Sequence, residues 1–98
     1  MVNLGIKIFE NYTLQDVLGE APPADQKLEE RLNQEITALI QNLGQKSEAE
    51  LQKILSQHLR AKQEMTKFSG AQALDQTKIE MFHRFLAKYI SAIESQLG

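Results

Sequence analysis

The sequence contains no cysteine and no tryptophan. The first absence excludes a disulfide scaffold and thiolate metal sites, and it fits a reducing compartment. No apolar run approaches the ~18 residues that suggest a membrane span. The first twelve residues, "MVNLGIKIFENY", have no basic stretch leading into a long apolar core, so they do not read as a secretory leader. A cytoplasmic protein is expected. The five glycines are dispersed, which leaves no Gly-rich phosphate loop. There is no G-x-S-x-G motif and no H-x-x-x-H or H-E-x-x-H pair. Neither a catalytic constellation nor a cofactor is expected.

What is present is an ordinary folding composition. Hydrophobic residues make up 42% and charged residues 24% of the 98, values unlike those of a disordered tail. That length predicts one domain with one core. Net charge is −2, but it is unevenly spread: residues 1–50 hold four Lys/Arg against nine Asp/Glu, and residues 51–98 hold seven against four. The positive residues stand singly among apolar ones. The split therefore reads first as charge complementation inside one molecule, and second as a basic face for nucleic acid.

"APPAD" at 21–25 marks a boundary, since Pro22 and Pro23 restrict the residues before them and lack N–H donors. Before it, residues 1–21 read as an N-terminal arm. Val2, Leu4, Ile6 and Ile8 alternate as in a strand, and "TLQDVLG" reads as a helical turn with Thr13 as N-cap and Gly19 as stop. After it, residues 22–98 carry three helical patterns. Residues 25–43 place Leu28, Leu32, Ile36, Leu39, Ile40 and Leu43 on an arc of roughly 120°. Residues 48–68 follow the capping box Ser47–Glu50, with Leu51, Ile54, Leu55, Leu59, Met65 and Phe68 as the stripe. Residues 75–97 begin at Asp75 as N-cap and carry Ile79, Met81, Phe82, Phe85, Leu86, Tyr89, Ile90, Ile93 and Leu97.

The last set spans an arc of about 180°, wider than contact with one neighbour requires. A helix wedged between two others has that need. The fold class expected is all-α: an antiparallel three-helix bundle with an N-terminal arm, a short strand followed by a short helical turn. Met81 and Phe85 lie at one edge of the wide arc. Surplus apolar surface there predicts self-association, with a homodimer expected. Three helices supply no sheet edge for the arm, so it pairs with the same segment of a second subunit, waits for a partner's edge, or lays its apolar side on the bundle; a binding element is favoured over a part of the core. Deleting residues 1–21 is then expected to leave a stable helical remainder. The candidate protein interface is Val2, Leu4, Ile6, Ile8, Phe9, Tyr12, Met81, Phe85 and Tyr89.

Two histidines are the groups that titrate near neutrality unaided. His58 falls on the apolar side of its helix and reads as a partly buried residue whose ring nitrogens find a carboxylate or carbonyl. His83, with Glu80 at i−3, reads as structural, because two ligands do not make a metal site. "HLRAKQEMTKFSG", starting at His58, resembles phosphotransfer domains, which are helical bundles with one solvent-exposed histidine. That resemblance implies phosphoryl chemistry at His58. The Lys-Gly pair the family places after the histidine is replaced here by Ala61 and Lys62.

The function favoured is that of a small non-enzymatic adaptor, regulator or assembly subunit that binds other proteins or itself. A nucleic-acid-binding regulator using Lys53, Arg60, Lys62, Lys67, Arg84 and Lys88 stands second, and a phosphotransfer-type domain third.

Overall fold

The computed structural model describes residues 5–19, 23–68 and 76–98. Val2, Leu4, Pro22 and Asp75 lie outside the described residues. The elements, in order, are β1 (Lys7–Ile8), β2 (Tyr12–Thr13), α1 (Leu14–Leu18), α2 (Gln26–Asn42), a single 3-10 turn (Leu43–Gln45), α3 (Glu48–Lys67) and α4 (Gln76–Leu97). The chain is mostly helical, as its periodicity predicts.

The alternating segment does find a strand partner, and the partner is its own continuation. β1 and β2 pair antiparallel, Lys7 opposite Thr13 and Ile8 opposite Tyr12. Leu14 N–H then donates to the Ile6 carbonyl at 3.0 Å. The chain turns through Phe9, which has a left-handed φ of 57°. A non-glycine residue there is strained and must be held by its surroundings. Thr13 starts α1 as expected, with the Asp16 carboxylate accepting its N–H at 2.9 Å. Gly19 ends the helix in an extended conformation, and a Cβ there would stand 2.9 Å from the Gln15 carbonyl oxygen.

A two-stranded hairpin is not stable alone in water, and this one is packed into the core. Ile6, Ile8, Phe9, Leu14 and Val17 are all buried. This corrects the expectation that the arm is a free binding element. β1 packs on α3 and α1 packs on α4. The physical reason is that the two strands pair with each other while side chains of α2 and α3 accept the N–H groups of the turn, so no external sheet edge is needed and the apolar side chains face the helices.

The helix starts follow local capping. Asp25 accepts the Leu28 N–H at 3.0 Å. Replacing it, Asp25→Ala, should cost about 1 kcal/mol by chemical denaturation; an unchanged midpoint would show that the cap carries nothing. At Ser47 the hydroxyl accepts the Glu50 N–H at 3.2 Å. The Glu50 carboxylate takes the Ser47 hydroxyl rather than the backbone N–H of a full capping box. Gly44 lies inside the 3-10 turn.

On α2, the stripe Leu28, Leu32, Ile36 and Leu39 is buried, and Leu43 continues it into the turn. On α3 the buried face is Leu51, His58, Ala61 and Met65. Leu59 departs from the expected stripe and is 40% exposed. At about 100° per residue it sits roughly a quarter-turn off that face. α4 buries Ile79, Phe82, Phe85, Leu86, Tyr89, Ile90 and Ile93, together with Lys78, whose Nζ donates to the Gly19 carbonyl at 3.1 Å. A cation there complements the C-terminal end of α1.

α4 packs against both α2 and α3, which accounts for its wide apolar arc. Leu51 lies near Leu97, and Met65 near Ile79, so α3 runs opposite to α4. Glu29 meets Arg84, and Leu43 lies near Leu97, so α2 runs in the same direction as α4. The hairpin bonds to both α2 and α3.

Candidate interaction sites

Two places gather the chemistry-bearing side chains. The first is the seat of the hairpin. Phe9 stacks on Phe82 at 6.4 Å between ring centroids and on His58 at 6.1 Å, and it meets Tyr89 edge-on at 6.0 Å. Tyr12 meets Phe82 edge-on at 5.4 Å, and His58 meets Tyr89 at 5.0 Å. Such contacts add to what burial alone contributes.

Polar clamps hold the turn from two sides. On α2, one oxygen of Glu35 accepts from Glu10 N–H and Asn11 N–H, both at 3.2 Å, and from Asn11 Nδ2 at 2.8 Å. On α3, His58 Nε2 accepts from Phe9 N–H at 2.9 Å. A ring nitrogen that accepts carries no proton, so the neutral ring holds its hydrogen on Nδ1. That N–H donates to the Ile54 carbonyl at 2.7 Å.

His58 is 3% exposed with both nitrogens engaged. The expected carbonyl partner is there, while the second partner is a backbone N–H. The exposed nitrogen that a phosphotransfer histidine needs is not found at His58. Burial holds its pKa below the ordinary 6.5, with Lys7 acting in the same direction and the Ile54 bond against it. Burial likewise pushes the Tyr12 and Tyr89 hydroxyls above the ordinary 10.0. Glu35 adds to this at Tyr12, where Arg31 opposes it, and Glu10 and Glu35 add to it at Tyr89.

The second place is an open groove of about 890 Å³ between the start of α2 and the middle of α4. Met81 and Phe85 supply its apolar part. Asp25, Glu29 and Glu30 stand on the α2 side, Arg84 and Lys88 on the α4 side. Arg84 bonds Glu29 at 2.8 Å, and its guanidinium lies 5.1 Å from the centroid of the Phe85 ring. That ion pair joins the acidic half of the sequence to the basic half. Both partners are well exposed, so its contribution to stability is small.

The interface candidates therefore divide. Ile6, Ile8, Phe9 and Tyr89 are core residues around the hairpin, and Tyr12 is half-buried beside them. They are not a free surface, because the hairpin and α4 cover each other. Phe85 is 7% exposed on the groove, and Met81 is half-buried there. Glu35 gave no sequence signal, since its partners lie 24 and 25 residues away. Of the basic residues, Lys53, Arg60, Lys67, Arg84 and Lys88 are exposed and Lys62 is half-buried; Lys67 is paired with Glu64 at 3.1 Å. His83 is half-buried beside Glu80. Among the described residues, no group of three or more His, Asp or Glu is placed to hold a metal. No helix there is long and apolar enough to cross a membrane.

Comparison with models of known protein families, with curated protein sequences and with solved structures found no match.

Proposed function

We propose that this protein is a non-enzymatic binding module that recognises a segment of another protein, working in a reducing compartment such as the cytoplasm. In this reading the three long helices act as one antiparallel bundle, up-down-up, and the groove between α2 and α4 is the contact surface. The observation that supports it is the composition of that groove: Met81 and Phe85 between an acidic rim on α2 and a basic rim on α4. An apolar floor with polar edges between rigid helices suits an amphipathic helix or an extended peptide. Protein interfaces favour this mixture, with Met, aromatic residues and Arg enriched at their centres. Self-association through the groove belongs to the same proposal, because the two rims are opposite in sign. Met81 and Phe85, the apolar edge that argues for a dimer, are the floor of this groove.

The test is photo-crosslinking in cells. A photoreactive phenylalanine analogue replaces Met81 in one variant and Gln63, exposed on α3, in another. Adducts to protein, the chain itself included, are expected from position 81 and not from position 63. Equal adducts from both positions, or adducts mainly to nucleic acid, would overturn the proposal.

A further inference from the structure

We propose that the hairpin at residues 6–13 is an acid-released latch: a proton on His58 Nε2 undocks it from α3 and uncovers the aromatic face of α4. The inference stands on the hydrogen-bond geometry. Nε2 is the acceptor for Phe9 N–H at 2.9 Å, and Nδ1 already donates to Ile54. A proton added to Nε2 turns that acceptor into a donor facing a donor. The bond is lost, and a cation is left between the rings of Phe9 and Tyr89. Phe9 is also the residue whose backbone is held at a φ of 57°. Breaking its bond to His58 removes one restraint on a conformation that relaxes when released.

The charged surroundings do not compensate the imidazolium. From β1, Lys7 acts against a second positive charge. The Glu10 carboxylate of the turn and the Glu35 carboxylate of α2 act on the hydroxyl of Tyr89. Glu35 is engaged by the N–H groups of Glu10 and Asn11. Both ring nitrogens are taken by backbone groups, so no carboxylate holds the ring.

The direction with pH follows from the folded state's preference for the neutral ring. Burial lowers the pKa of His58 from 6.5. The docked form therefore has its full stability above about pH 6.5 and loses it as pH falls from there through the lowered native value. The histidine thus couples acidification below the ordinary histidine range to a change of surface. The faces that open, Phe82 and Tyr89, are separate from the groove proposed above as the binding surface.

The full chain carries its own reporters. With no tryptophan and two tyrosines, both in the cluster, near-ultraviolet circular dichroism reads the seat of the hairpin directly. Helix content is followed in the far ultraviolet, and the His58 ring and Phe9 amide by NMR, through a titration from pH 8 to about pH 4, past the usual histidine range. Loss of the tyrosine signal and of Phe9 amide protection is expected at the pH where the His58 ring titrates, with helix content retained. His58→Gln keeps an acceptor but cannot gain the proton, and should abolish the transition; His83→Gln should leave it unchanged. Glu35→Gln tests whether the carboxylate clamp is responsible instead. A transition that survives His58→Gln, or vanishes in Glu35→Gln, would overturn the latch. So would a ring that titrates while the Phe9 amide stays protected, or helix loss at the same pH. Where His58→Gln does not fold, the coincidence of ring and amide titrations in the unmodified chain decides.

Discussion

Deletion of residues 1–21, which removes α1 with its buried Leu14 and Val17 as well as the hairpin, should leave a chain that unfolds or aggregates at room temperature. The segment contains Ile6, Ile8, Phe9, Leu14 and Val17, all buried. Fully burying one such side chain contributes about 1.5–3 kcal/mol. Five of them together match the ~5–15 kcal/mol net stability of a typical domain. Their loss would also expose Phe82 and Tyr89, and leave His58 Nε2 without its donor. The measurement is thermal unfolding by circular dichroism, with light scattering for aggregation. A truncated chain that melts cooperatively within a few degrees of the intact one would show that the hairpin is an accessory. The sequence alone predicts that outcome, because it offers the arm no sheet partner.

Phe82→Ala should be among the most damaging single substitutions. Phe82 is fully buried, stacked on Phe9 and in edge contact with Tyr12. Truncating a buried phenylalanine costs about 3–5 kcal/mol, through lost transfer energy and the cavity left behind. The hairpin would lose the surface it rests on, so both ends of the sequence should loosen together. Leu59→Ala is the matched control. Leu59 is 40% exposed, and its truncation should stay within about 0.5 kcal/mol. Denaturant midpoints compare the two directly. Equal midpoints would mean that α4 is not the centre of the core.

Local rules decided much of the molecule. Asp25 and Ser47 cap helices in the structure as their sequence context predicts, because a cap is a bond between residues three positions apart. The stripe of α2 is legible for a similar reason, since helical periodicity alone selects the face that Leu28, Leu32 and Ile36 share. The width of the apolar arc on α4 already implied two neighbours. The split in charge implied internal pairing, and Glu29–Arg84 is one such pair.

What the sequence by itself could not decide was the fate of the arm. Alternation identified a strand, but pairing depends on whether the chain can turn back at Phe9, a non-glycine residue at positive φ. That conformation has no sequence signal and exists because His58, Glu35 and Phe82 hold the turn from residues 24 to 73 positions away. The same distance hid the role of His58. Its ring looked like a lone polar group on an apolar face, and only the tertiary structure supplied the Phe9 N–H that makes it a buried acceptor. It also decided that Ala61, absent from the predicted stripe, is fully buried while Leu59 is exposed. β1 packs on α3, and hydrophobicity alone does not say on which side of a helix a neighbour will lie.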